Sequence, residues 1–347
     1  MNGNNKLHHY FCAMRNVIIF LMLGILLLAG CNTDVEEKCA FIPETSSIQI
    51  DLNIEQLQDS VVNLKSKEEL VNFFSRYTPL RDIFFNRQGY PNDSVFINEL
   101  YARFNNPYFD SLLIDTRQEF GDLSQLKNEL KEAFTNIKFY YPHFQPPRIQ
   151  TVITGLESDI FVSDSLVMIG LDYYLGANAR YKPNMYEYMQ RRYQKNFIVP
   201  SILLLYGIDE SLNKTNLEDR TVLADMIAYG KTYYFAKQML PCVADSVFIG
   251  YTKEEMEGSR ANRDLIWKRL VEDEVFYATS HLVKQKYVAE RPKTLEVGEK
   301  CPGRIATWVG WEVVNKYMKE HEEVSLPQLM ANPNANEIFQ QSRYKPL

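Results

Sequence analysis

Histidine is the scarcest chemical resource in this 347-residue chain. Only His8, His9, His143, His281 and His321 occur, and none lies in the 137 residues from Phe144 to Ser280. There is accordingly no HExxH helix, the pattern that presents two zinc ligands and a general base on one face. G-x-S-x-G, P-loop and G-x-G-x-x-G patterns are missing too, so no familiar acyl-transfer or nucleotide site can be read from the sequence. Positive charge is in deficit. With 38 Lys and Arg against 44 Asp and Glu, nucleic acid is excluded as a main partner. No apolar run reaches the roughly 20 residues of a spanning helix. Low-complexity tracts are absent, and 15 Gly and 15 Pro exclude the fibrous classes. What is present is 46% hydrophobic, 13% aromatic and 24% charged residues, enough for a folded chain with a real core.

The longest apolar stretch is Val17–Ala29, thirteen residues preceded by Lys6 and Arg15 with no acid before it. That is the length and flanking charge of a signal-peptide hydrophobic region. It ends in Leu28-Ala29-Gly30-Cys31, which resembles a bacterial lipobox, in which the cysteine thiol takes a diacylglyceryl group before cleavage. Either Met1 or Met14 can start such a signal. The expected division is a signal peptide over 1–30, a lipidated N terminus and tether over 31–50, and one domain over 51–347. Without Lys6 and Arg15 the formal charge of −6 becomes −8. Lipid on Cys31 would supply membrane attachment. Asp34, Glu36 and Glu37 then form either a solvated spacer or an acidic stretch resembling the surface-export signals of Bacteroidetes lipoproteins.

Beyond Cys12 and Cys31 the chain keeps Cys39, Cys242 and Cys301. An oxidising envelope permits one bond among three thiols. Cys242 and Cys301 both stand beside proline in turn-like contexts and are the expected pair, with three buried thiols as the alternative.

Periodicity indicates a predominantly helical α+β domain with a small central sheet. Ser66-Lys67-Glu68-Glu69 and Thr252-Lys253-Glu254-Glu255 carry capping-box spacing, and Asp93 or Ser94 is expected to cap a further helix. Helical stripes are predicted from 93, over 107–119 and over 123–139, and again over 184–206, 218–240, 253–276 and 303–320. Strands are predicted at 148–153, 160–162 and 166–169, the last two separated by Ser163-Asp164-Ser165. Asp172 follows the third strand and either lines a cleft at its end or closes a turn. His143 between Pro142 and Phe144 reads as a packed loop residue. Trp308 and Trp311, one helical turn apart, could stack on sugars or fill a core. Five Asp-Ser-hydrophobic triplets, beginning at Asp59, Asp93, Asp110, Asp164 and Asp245, resemble the O-glycosylation motif of Bacteroidetes envelope proteins, or are first-turn and turn residues.

Several segments together resemble the gliding-motility lipoprotein B (GldB) family of Bacteroidetes. They are Met168-Ile169-Gly170-Leu171-Asp172-Tyr173-Tyr174-Leu175-Gly176, Asp225-Met226-Ile227-Ala228-Tyr229-Gly230-Lys231, Ile249-Gly250-Tyr251-Thr252, Pro302-Gly303-Arg304 with Trp308-Val309-Gly310-Trp311, and Ser342-Arg343-Tyr344-Lys345-Pro346. The resemblance runs from Leu166 to the C terminus. It implies an outer-membrane lipoprotein, facing the periplasm rather than the cell surface, and linked to the gliding and secretion machinery. The order of sheet and helices also resembles zincin-type metallopeptidases, with no histidine in the helix that would bear HExxH and Tyr229 before Gly230 where a glutamate ligand would stand. The expectation is therefore a non-catalytic protein with no metal and no cofactor, whose partners are the membrane and envelope proteins. Asp172, Tyr173, Tyr229, Lys231 and Arg304 are the expected cleft. An envelope hydrolase of metallopeptidase ancestry, or a glycan-binding lipoprotein, is the alternative.

Overall fold

The computed structural model describes residues 39–346. The signal segment, Cys31 and the acidic residues 34–37 lie outside the described residues. The domain is a predominantly helical α+β fold built around one four-stranded sheet.

The strands are β1 (Ile54–Gln56), β2 (Arg148–Val152), β3 (Ile160–Val162) and β4 (Leu166–Gly170), in the order β1-β2-β4-β3. β1 and β4 run parallel to β2, while β3 is an antiparallel edge with Ile160 opposite Ile169 and Val162 opposite Val167. β4 is buried along its whole length because both faces are covered. Leu166 and Met168 point into one apolar cluster, Val167 and Ile169 into the other. A strand buried on two faces reads as a continuous apolar run, which is how it appears in the sequence.

The smaller cluster is aromatic. The helices α1 (Lys67–Arg76), α2 (Asp93–Phe104) and α3 (Pro107–Phe120) bring Phe73, Phe74, Phe96, Phe104 and Phe109, with Phe85 from the α1–α2 connection, into a chain of ring contacts 5.1–5.7 Å apart. Offset and edge-on rings of this kind add to their area burial. α1 begins as its sequence predicts, with Ser66 Oγ accepting from Glu69 N at 3.1 Å. The cap of α2 is Asn92 rather than Asp93 or Ser94.

The larger cluster lies on the other face, under α4 (Ser124–Tyr140), α5 (Ile198–Ile208), α6 (Val222–Met239) and α7 (Ile305–Glu320). α6 is central and buried on nearly every side, so it lacks a polar stripe. It crosses α7 at Gly230 and Gly310. A Cβ on Gly230 would stand 2.4 Å from Gly310 O, and one on Gly310 only 1.9 Å from Met226 O. Only glycine permits this approach of two backbones.

Two long helices expected from periodicity are broken. Over 184–206, a single turn at Glu187–Gln190 is followed by irregular chain, and α5 starts only at Ile198. Pro200 occupies its first turn, where the missing N–H costs nothing, and would break a helix continuing from further back. Over 253–276, Asn262 separates Lys253–Ala261 from Arg263–Glu272, its side chain donating to Gly258 O at 2.8 Å. The first of these carries a complete capping box on Thr252 and Glu255. Asp59, Asp93, Asp110 and Asp245 fall in first helical turns, where the helix dipole favours acids, and Asp164 lies in the β3–β4 connection.

The expected Cys242–Cys301 bond is not the one formed. Cys39 pairs with Cys242, and Cys301 is free. Cys301 is held elsewhere, its backbone carbonyl accepting from Thr294 N while Thr294 Oγ1 donates to Pro302 O. Beside the disulfide, Ala40 N donates to Pro241 O at 2.9 Å. The chain is thus fastened to the domain from residue 39, within the stretch read from sequence as tether.

Candidate functional site

A cleft of about 470 Å³ opens where α5, α6, the start of β3, the segment 187–194 and the start of α7 meet. Helix spacing fills it. Tyr229 and Tyr233, one turn apart on α6, present stacked phenols with centroids 6.5 Å apart. On α5, Leu205 and Ile208 form an apolar rim, 43% and 39% exposed, and Tyr229 is 39% exposed beside them. Tyr193 stands on the opposite wall, backed by Tyr173 at 5.2 Å and Tyr174 at 5.4 Å. Its hydroxyl donates to Asp159 Oδ2 at 3.3 Å, and Asp159 Oδ1 accepts from Ile160 N at 2.7 Å.

The charged floor joins three residues distant in sequence. Glu290 Oε2 lies 2.9 Å from Arg192 Nη1 and 3.4 Å from Arg304 Nε. Arg304 Nη2 also donates to Ile249 O. Arg304 caps α7 in the left-handed region at φ +60°, a conformation costly for a residue with a Cβ, and such strain is held only where surrounding contacts fix it. Gly250, at φ +71°, lets Arg192 lie close, since a Cβ there would meet Arg192 Cδ at 2.3 Å.

Electrostatics keep these groups as hydrogen-bond donors. Burial, with Asp159 nearby, pushes the Tyr193 phenol up to about 12, and burial raises Tyr174 and Tyr229 as well. Burial works against the Arg304 charge, but the neighbouring phenols and Glu290 outweigh it and hold the guanidinium protonated.

Of the five residues expected to share a cleft, Tyr229 and Arg304 line it and Tyr173 supports its wall. Asp172 does not reach it. It is fully buried and accepts from Thr154 N at 3.0 Å and Leu156 N at 2.7 Å, closing the β2–β3 turn. Burial lifts its carboxyl to about 6, against the pull of those backbone N–H groups. Lys231 points to the other side of α6. Its ammonium donates to Lys214 O at 2.7 Å, Met330 O at 3.2 Å and Asn332 O at 2.8 Å, while burial draws its pKa down to about 7. Trp308 and Trp311 are buried in the core, Trp311 against Tyr233 at 5.2 Å, so neither is a platform for sugars. His143 lines a separate cavity of about 350 Å³ with Tyr141, Phe144 and Tyr206. Sequence reasoning missed Glu290 and Asp159, which stand in loops without a motif around them.

Among the described residues no three His, Cys, Asp or Glu side chains are grouped to hold a metal ion, and no helix is long and apolar enough to cross a membrane. No curated protein and no solved structure matches the chain. The family model of the gliding motility protein GldB matches residues 38–346, a span that takes in the sheet, both cores and every element of the cleft. The chain therefore belongs to the GldB family of gliding-motility proteins.

Proposed function

We propose that this protein is a non-catalytic, lipid-anchored envelope subunit that serves gliding-motility or associated secretion machinery through protein interactions. Family membership makes it a gliding-motility-related envelope protein. The finer reading adds attachment through Cys31 to the outer membrane, facing the periplasm, and a scaffold related to zincin-type peptidases that carries no HExxH.

The observation that supports a binding role is the chemistry of the cleft. The Arg304 guanidinium is held protonated by its neighbours, and burial raises the Tyr174, Tyr193 and Tyr229 phenols, so these groups stay donors. Glu290, the carboxylate between the arginines, serves as their shared counter-ion. These are groups that recognise and hold a partner. The apolar rim of Leu205, Ile208 and Tyr229 supplies the surface that a protein partner would cover.

In-cell crosslinking tests the proposal, using a tag at Leu347, detergent extraction and mass spectrometry, with Cys31→Ala as control. Enrichment of motility or secretion components that disappears in the control is expected. Recovery with no protein partner in either form would overturn it.

A further inference from the structure

We infer that the cleft is a receptor for the C-terminal carboxylate of a polypeptide, with Arg192 as its anchor. This rests on the interaction role proposed above and names the chemistry of the partner. Arg192 uses only Nη1 on Glu290, so its Nε and Nη2 make no hydrogen bond among the described residues. Those two nitrogens form the edge of a guanidinium that matches a carboxylate through two parallel bonds. Arg304 is committed to Glu290 and Ile249 O and supplies a second fixed positive charge behind it. Asp159, the other carboxylate of the cleft, is occupied by Ile160 N and the Tyr193 hydroxyl. Arg192 therefore keeps a pair of unused donors, and they call for an anionic acceptor.

The occupant is a peptide end because of what adjoins the arginine. Tyr193, Tyr229 and Tyr233 wall a space suited to one apolar or aromatic terminal side chain. Beside it runs β3, paired only to β4, so its outer edge pairs with no strand of the sheet and can receive an extended chain leading away from the carboxylate.

The test uses the full-length protein in detergent, with fluorescence polarisation against pools of labelled octapeptides. One pool ends in Phe, Tyr or Leu with a free carboxylate, and a second is identical but amidated. A third probe is an oligosaccharide of uronic acids. The free-acid pool is expected to bind, amidation and Arg192→Gln each to weaken binding about 10- to 100-fold, and Arg192→Lys to restore little. Circular dichroism and melting of Arg192→Gln check that the fold is intact. Equal binding of acid and amide pools, no loss in a folded Arg192→Gln, binding of the uronic acids alone, or no binding at all would each overturn the inference. Partners captured in cells that persist in Arg192→Gln would do the same, while leaving the interaction role standing on another surface.

Discussion

The crossing of α6 and α7 at Gly230 and Gly310 allows a sharp stability test. Ordinary contact for a Cβ is 3.4–4 Å, whereas Gly310→Ala would place one 1.9 Å from Met226 O and Gly230→Ala one 2.4 Å from Gly310 O. The obstacle is backbone in both cases, so no side chain can swing aside. The helices must part by roughly 1 Å or more along a seam of close-packed atoms, and each opened contact forfeits part of its dispersion energy. Overpacking of this sort costs about 1–3 kcal/mol, and alanine's better helix propensity returns about 1 kcal/mol at most. With backbone as the obstacle the upper end applies, and a net loss of about 2 kcal/mol is expected for each single variant. The pair is the discriminating measurement. Once one methyl has separated the helices, the second finds the space already open, so the double variant should lose at most about 1 kcal/mol more than the worse single. Guanidinium unfolding followed by tryptophan fluorescence gives all three values, since Trp308 and Trp311 lie on α7 itself. Additive losses would refute the shared-seam reasoning, and a neutral Gly310→Ala would refute the crossing geometry.

One covalent link and two buried charged side chains give further outcomes. Because Cys39–Cys242 closes a separation of 203 residues, Cys39→Ser with Cys242→Ser should lower stability by up to about 5 kcal/mol on the chain-entropy account, while Cys301→Ser changes it little; denaturation with and without reductant reads both. Burial lifts the Asp172 carboxyl to about 6 in the folded protein, above its ordinary 3.8, so its contribution is complete below pH 4 and is lost as pH rises to 6. Relative to Asp172→Asn, the wild type should therefore lose roughly 3 kcal/mol across that window, and a flat difference in urea midpoints would count against it. Lys231→Met strands the carbonyls of Lys214, Met330 and Asn332, costing about 3 kcal/mol and speeding amide exchange around 330–334, the segment the ammonium holds to α6.

Much of the fold could be read from local pattern because local forces decide it. The run Leu166–Ile169 announces a strand covered on both faces, and Thr252 with Glu255 announces a helix start, because the deciding contacts are a few residues away. The break before α5 was also legible, in Pro200, but the apolar period over 184–206 masks it. The cleft divides along the same line. Tyr229 and Lys231 are two residues apart on one helix, which turns them about 200° from each other, so helical geometry alone forbids a shared wall. Tyr229 and Tyr233, four apart, are the pair that geometry permits, and they do line the cleft. Glu290 had no such signal. It is placed by the packing of a loop against two arginines 98 and 14 residues away, and no period in the sequence encodes that meeting. Cysteine pairing is non-local in the same sense: the proline beside Cys301 marks a turn, not a neighbour.

The link between Cys39 and Cys242 also fixes where force enters the molecule. Cys242 follows the C-terminal end of α6, the most buried helix of the fold. Tension arriving along the chain ahead of Cys39 passes through a covalent bridge to that helix, so β1, which lies inside the closed loop, is not peeled from the sheet. A pull from the N terminus is shared by the whole larger core at once. Under the proposed attachment through Cys31, that would make the domain a stiff handle instead of a chain that unravels strand by strand.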